Sequence, residues 1–472
     1  MTDLIGRTLH RLNLQLPGRV SVPGNDRYAR ATAIWAKSDH TPRAIAHCQT
    51  AADAQAAIRA ARNCDLPLSV HGGGHDWAGR ALCDGLVIDL SGMNRVELYP
   101  EISTARVGGG TRASGLLEAL APFGMAAVTG SCGPVGMAGL ALGGGYGPLI
   151  GRYGLALDNL LAVEIILSDG RIVSANKSDE QELFWALRGG GGNFGVVTNM
   201  HFQVHYLPRV RSGMLVYPFG EARTVLEGCA NIAATAPDDL TVQLGFVTGA
   251  NGEPVVLVVP TWCGPVEEGA GRIGPFLRLG TLLAGDAPTL SYKASLAAFD
   301  SYIVNGQKTY METCWLPAMA GGSITPFIEA MKHAISPGCA LFTHEFKGAA
   351  SRVPPDATAF GLRRDHVLVE ILATMDERAD EQECRRHREW TRDARRVFDA
   401  VALPGGYPNL LARNDVDRAA HGFGANAERL IRAKRHYDPD NVFRSTIPLP
   451  NTGLPDDGGS RALTFRHTIQ LA

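Results

Sequence analysis

Two hydrophobic periods alternate along the first 207 residues. Residues 51–62 are alanine-rich around Ile58 and suit a helix. Residues 66–70, 85–90 and 105–107 read as short strands. Over 113–123, Leu116, Leu117 and Leu120 fall at three- and four-residue spacing, one apolar face of a helix. The runs 161–167 and 171–174 flank Ser168-Asp169-Gly170, a hairpin-like turn. Residues 179–188 read as a helix stopped by the glycines that follow. A strand pattern over 196–206 ends at Leu207-Pro208.

From about 208 to 400 the pattern shifts to longer runs of strand type: 240–246, 255–259, 340–346 and 366–372. Helical stretches lie between and after them, notably 325–335 and 380–400. The combination predicts an antiparallel sheet with helices on one face, hence an α+β fold. Glu370 alternates with Val369 and Ile371, so it faces the opposite side of its strand. The stretch 451–472 begins polar and glycine-rich and is expected to be a loose tail.

Composition narrows the class. A chain of 472 residues can build two or three domains. A net charge of −2 without a basic block excludes nucleic acid or an anionic membrane surface as a partner. No apolar run approaches the roughly 20 residues of a membrane span. The first seven residues lack the charged-then-apolar pattern of a secretory leader. The nine cysteines are scattered with no Cys-x-x-Cys pair, so neither a disulfide framework nor a zinc site is expected. The expectation is a cytoplasmic monomer or homodimer without a metal. Eight cysteines read as small buried hydrophobes; Cys132 stands apart because of its neighbours.

Those neighbours are glycines. One segment reads His71-Gly72-Gly73-Gly74-His75-Asp76-Trp77-Ala78-Gly79. A second runs from Gly130-Ser131-Cys132 through Gly136-Met137-Ala138-Gly139 to Gly143-Gly144-Gly145-Tyr146-Gly147. Glycine permits close backbone approach, and successive backbone N–H groups in such turns make concave anion sites. Each segment carries a nucleophile, His75 and Cys132, which points to a large phosphate-containing cofactor, possible to attach covalently. A nicotinamide fold of the common type needs Gly-x-Gly-x-x-Gly opening a helix. Gly139-Leu140-Ala141-Leu142-Gly143 lacks that spacing.

At these residues the chain resembles the flavoprotein oxidases of the vanillyl-alcohol oxidase and p-cresol methylhydroxylase (PCMH) type, in particular their berberine-bridge-enzyme-like and 6-hydroxynicotine-oxidase-like branch. Further matching segments are 152–159, 183–198 and 437–443, so the likeness runs from near residue 40 to near 445. The resemblance implies a two-subdomain PCMH-type FAD-binding domain over 1–207, completed by 401–450, and a substrate domain at 208–400. It implies FAD bonded through its 8α-methyl to His75 and through C6 to Cys132. His71 stands where relatives carry Arg. Cofactor contacts are expected from His71, Gly72, Gly73, Gly74, His75, Asp76, Gly79, Ser131, Cys132, Gly136, Met137, Gly139, Gly143, Gly144, Gly145, Tyr146, Gly147, Gly195, Val196 and Val197, with Tyr407 and Asn409 from the returning segment.

The implied chemistry is two-electron oxidation of a small ring-bearing alcohol, amine or activated C–H by hydride transfer to the flavin, with O2 as reoxidant. A dehydrogenase using another acceptor and an oxidative cyclase remain alternatives. Met137 stands where relatives have a small residue beside the flavin, which leaves oxygen use open. Relatives often carry Tyr-x-Asn-Tyr-x-Asp; here Tyr407 and Asn409 persist while Leu410 and Ala412 replace the second Tyr and the Asp. Glu370 is the leading base, with Tyr407, His344 and Tyr310 as further catalytic candidates beside Glu345 and Glu312. The competing class is a binding module that uses this fold without catalysis.

Overall fold

The computed structural model describes residues 2–249 and 251–454. Its strands form four sheets. In the first, Ala44–His47, Leu86–Asp89 and Leu68–His71 run parallel, with Val20–Ser21 antiparallel at the edge. Both faces of a parallel sheet are covered, and Ala44–His47 and Leu86–Asp89 are buried throughout. Helix Ala51–Asn63 packs there through Ala54, Ala57, Ile58 and Ala61. Its start is fixed by a capping box between Thr50 and Asp53.

The second sheet is antiparallel, in the order Val96–Tyr99, Thr104–Gly108, Val196–Gln203, Leu160–Ile166, Ile172–Asn176. The turn at Ser168-Asp169-Gly170 joins its last two strands as the pattern predicts. A two-stranded ribbon pairs Met125–Ala126 with His205–Tyr206.

The fourth sheet has eight strands, and its long members are antiparallel: Pro254–Trp262, Leu240–Thr248, Cys339–Phe346, His366–Met375 and Lys308–Leu316. One face, with Phe246, Leu341, Val369, Ile371 and Cys314, packs in a single core with Leu226, Phe327, Trp390 and Phe398 of the helical side. The other face sends Trp315, Phe346 and Leu368 into the core that holds Tyr146 and Tyr407. The sheet thus roofs the second glycine segment. Lys308–Leu316 was not expected from the sequence, because apolar side chains occupy both of its faces. The chain's first helix, Thr2–Gln15, was also unexpected.

The last described segment packs back over the glycine-rich region. Lys434, in helix Ala427–Tyr437, is buried and donates to Asp438 at 2.7 Å, the Asn193 carbonyl at 2.8 Å and the Phe443 carbonyl at 2.9 Å. Asp438 in turn accepts from the backbone N–H of Val442 and Phe443. This buried pair gives a physical reason for the Tyr437-Asp438-Pro439-Asp440-Asn441-Val442-Phe443 motif. The tail expected at 451–472 lies outside the described residues from 455 onward.

Candidate active site

Strand Leu68–His71 delivers the first glycine segment. His47, Asp89 and His71 stand level at the carboxyl ends of three adjacent parallel strands. Asp89 faces His47 Nδ1 at 2.6 Å and His71 Nδ1 at 3.2 Å. Burial alone would raise the Asp89 carboxyl, but the bonds from His47 and His71 outweigh it and hold it below the usual range. Beyond His71 the chain turns at Gly74, whose φ is +73°. His75 then stacks on Trp35, with ring centroids 4.4 Å apart and planes 3° from parallel. The Asp76 carboxylate accepts from the N–H groups of Ala78 and Ala81 and from Arg80, which fixes the exit turn at Gly79.

The second segment touches the first. A Cβ on Gly73 would lie 2.4 Å from the Gly136 Cα, so neither position admits a side chain. Cys132 is buried, and the next backbone N–H, Gly133, donates to Asp300 at 2.8 Å. Met137–Gly143 is a short helix, unexpected in so glycine-rich a stretch. Met137, Ala138, Ala141 and Leu142 are buried, and Gly139 is open. The glycines after the helix let other chains approach. A Cβ on Gly143 would meet Asn409 Oδ1 at 2.2 Å, and one on Gly144 would meet the Tyr407 ring at 2.8 Å. Gly195 is pressed against the Ile166 carbonyl where Val196 and Val197 begin their strand.

Gly147→Ala tests this crowding. Its Cβ would sit 1.9 Å from the Thr129 carbonyl oxygen, so backbone must shift. The expected cost is about 1–3 kcal/mol of stability, seen as a lower urea midpoint, together with reduced cofactor content.

The returning segment lies against this cradle. Tyr407 Oη accepts from the Gly145 N–H at 2.9 Å and from Asn409 Nδ2 at 3.1 Å. Asn409 also donates to the Gly139 carbonyl, and Arg80 donates to the Asn409 carbonyl at 2.6 Å. Burial pushes the Tyr407 phenol up to about 12 against those two bonds. Tyr146 packs at 4.8 Å from the Tyr407 ring. Its hydroxyl lies 2.6 Å from His366 Nε2. Burial pushes His366 down to about 3, so the ring is neutral. With His366 Nδ1 bonded to the Arg364 carbonyl, Tyr146 must be the donor to Nε2.

From the roof, strand register settles which side chains look inward. Glu370 pairs with Phe342 and Thr313, and His344 pairs with Leu368, which points into the core beneath the sheet. Glu370 and His344 therefore face the cradle, 3.1 Å apart between Oε1 and Nε2. Gln243 Nε2 lies 2.8 Å from His344 Nδ1 and donates to Ser131 Oγ at 2.7 Å. Tyr310, opposite Ala373, is on the other face, where Arg388 donates to its hydroxyl at 2.8 Å. It is not brought together with the other candidates. Glu312 shares that outer face and pairs with Arg418, while Glu345 accepts from the Val242 N–H.

Glu370 is felt by three groups of the cradle. Burial pushes His75 down to about 4, opposed by Glu370 and Asp76. Burial, then Asp300 and Glu370, push the Cys132 thiol up to about 12. Glu370 also raises Tyr407. His75 is thus a neutral imidazole at ordinary pH, and Cys132 a neutral thiol.

The cradle fits a polar cofactor. Buried polar atoms are normally partnered. Yet His75 Nδ1, Trp77 Nε1, Arg80 Nη1 and Thr111 Oγ1, all in or beside these segments, are buried without a hydrogen-bond partner. Three features here escaped the sequence reading. Trp35 gave no local signal. Gln243 sits in an ordinary strand pattern. Gly108-Gly109-Gly110 was legible as three glycines ending a strand; it packs against Leu90, Met93 and Val197 beside Gly72.

Residues 42–176 match the family described as FAD binding domain, and residues 406–450 match the family described as berberine and berberine like. The chain is 31% identical over 446 residues to an uncharacterized FAD-linked oxidoreductase, YvdP, of Bacillus subtilis, covering 92% of this chain and 98% of that one. It is 29% identical to (R)-6-hydroxynicotine oxidase of Paenarthrobacter nicotinovorans, covering 93% and 98%. The crystal structure of 6-hydroxy-D-nicotine oxidase from Arthrobacter nicotinovorans superposes with a TM-score of 0.80 at 27% identity, covering 90% of this chain and 96% of that one. Berberine bridge enzyme from Eschscholzia californica shares the fold, with a TM-score of 0.82 at 21% identity over 94% and 99%. The expected α+β, PCMH-type fold is borne out, and among the described residues no helix is long and apolar enough to cross a membrane. The chain belongs to the berberine-bridge-enzyme-like family and is an FAD-linked oxidoreductase.

Proposed function

We propose that this oxidoreductase is an oxidase of a small ring-bearing alcohol, amine or activated C–H compound, with FAD bonded to His75 and Cys132 and Glu370 as the general base. The carrying observation is geometric: strand register sets Glu370 on the inward face of the roof, 3.1 Å from His344 and on the side of the sheet that packs over Tyr146 and Tyr407. Its charge also acts on His75, Cys132 and Tyr407, after burial in each case. The 6-hydroxynicotine oxidase relative supports both the oxidase chemistry and the ring-bearing substrate. Domain limits near 207 and 400 belong to the same reading. The nine cysteines, all free and buried, support a reducing, cytoplasmic setting.

FAD held in this cradle would supply a two-electron acceptor for the substrate hydride, with O2 as its oxidant and hydrogen peroxide as the product. The protein's part is positioning and proton handling. Backbone N–H groups around Gly72–74 and 136–147 would hold the phosphates and the ring. The Glu370 carboxylate takes the proton that leaves the substrate as the hydride departs. Tyr407 already accepts two hydrogen bonds at its oxygen, so its own O–H is free to orient substrate. His344 steadies Glu370, and the roof of the sheet limits water access.

Stopped-flow mixing of the reduced enzyme with air is the test. Rapid reoxidation with one peroxide per flavin supports the oxidase. Slow reoxidation that Met137→Val accelerates identifies a dehydrogenase instead, because Met137 is wholly buried at the start of the cradle helix. Colourless protein that takes up no FAD would sink both readings.

A further inference from the structure

We infer that Gln243 is a positioning residue: it fixes His344 as the Nε2–H tautomer, which clamps one oxygen of Glu370 and leaves the other directed at the cradle. The inference rests on the reading of Glu370 as the base and adds how that base is held.

The Gln243 amide nitrogen carries two hydrogens and lies near two acceptors: Ser131 Oγ at 2.7 Å and His344 Nδ1 at 2.8 Å. A neutral imidazole has one N–H. With Nδ1 accepting, that hydrogen resides on Nε2, which lies 3.1 Å from Glu370 Oε1. A carboxylate so held is a fixed base rather than a rotating one. Ser131 adds a second tie, because its hydroxyl is itself 3.5 Å from His344 Nδ1 and it directly precedes Cys132. One amide therefore joins the roof to the loop that carries the second attachment nucleophile.

The sheet makes this possible. Gly245 pairs with Phe342 in antiparallel register, which sets Gln243 across from His344, and Phe342 pairs with Glu370 on the next strand. The three side chains come from three adjacent strands and share the inward face. The titratable groups facing the pair from neighbouring elements are His75, Cys132, Tyr146 and Tyr407, with the Arg112 guanidinium acting on His75. Among the described residues, Gln243 and Ser131 are the groups that approach His344 Nδ1.

The test uses holoenzyme labelled with 15N-histidine, with the His344 signals assigned by their loss in His344→Gln. The expected spectrum at neutral pH shows His344 Nε2 protonated and Nδ1 unprotonated. A protonated Nδ1 in the wild type overturns the inference, whatever Glu370 does. Gln243→Glu keeps the shape and replaces the donor by an acceptor. It should draw a proton to Nδ1 and shift the pH profile of anaerobic flavin reduction. Gln243→Leu should slow reduction roughly 10-fold with flavin content unchanged, less than the ~10²-fold or more of losing a base outright. If Gln243→Glu leaves both the spectrum and the profile as in the wild type, Gln243 is only a packing residue and the inference fails. The two layers are separable. A wild-type spectrum as expected, with Glu370→Gln reduced at the normal rate, removes the base reading and leaves the Gln243–His344 arrangement standing.

Discussion

Glu370→Gln is expected to slow anaerobic reduction of the flavin by substrate roughly 10²-fold or more, the usual scale of a lost general base, while bound flavin stays intact. The substitution is nearly isosteric. The new side-chain carbonyl can still accept from His344 Nε2, now 3.1 Å from the carboxylate, so the roof should not rearrange. What disappears is the charge and the ability to take a proton. Stopped-flow absorbance of the oxidised flavin reads the effect directly. A second signature follows from the sign of the electrostatics. Glu370 raises Cys132, Tyr407 and His75. Its neutralisation should therefore lower the Cys132 thiol and make its thiolate more abundant. Unchanged reduction in Glu370→Gln would remove it from the mechanism and move attention to His344 and Tyr407. Tyr310 is a poorer successor, being on the outer face of the sheet with Arg388.

What could be read from the chain divides by range of interaction. The glycine segments with His75 and Cys132 were legible because backbone freedom and nucleophile are adjacent in sequence. Strands such as Leu86–Asp89 and His366–Met375 were legible because burial imposes a run or an alternation. The inward direction of Glu370 could be stated only relative to Val369 and Ile371; which face was inside depended on the helices that cover the other one. Gln243 was invisible, since its role comes from antiparallel register with a strand about a hundred residues away. Trp35 was invisible for the same reason. Its segment is held by the Gly74 and Asp76 carbonyls on one side and by residues 306–307 on the other. The helix Met137–Gly143 was missed because its glycines outweighed its Met, Ala and Leu, although Gly136 and Gly144 mark its ends. His71 was seen as a departure from the family's Arg, but its pairing with Asp89, shared with His47, required the parallel register of three strands.

Acid precipitation and denaturing gels should retain flavin on the wild type and on both single variants, His75→Ala and Cys132→Ala, and lose it from the double variant. The two bonds should also differ in how they form. The nucleophile must be neutral imidazole or thiolate. Because His75 is pushed down to about 4, its ring is neutral at every pH above roughly 5, and attachment there should be nearly independent of pH. Cys132 is pushed up to about 12, so the thiolate is about one part in 10⁵ at pH 7 and rises about tenfold per pH unit. When apoprotein is mixed with FAD in air, each bond replaces a flavin C–H and leaves the flavin reduced until O2 reoxidises it; the histidyl bond should form first at any pH between roughly 5 and 8, and the cysteinyl bond should follow faster as pH rises. Neutralising Glu370 should speed the second step at fixed pH, which links this experiment to the first. The neighbour Asp300 offers an independent check: Asp300→Asn removes the other charge that raises the thiol and should accelerate the same step. A peptide map of flavinylated protein with unmodified Cys132 would reduce attachment to His75 alone, and pH-independent formation of the sulfur bond would show that the thiol is not held by burial as the structure has it.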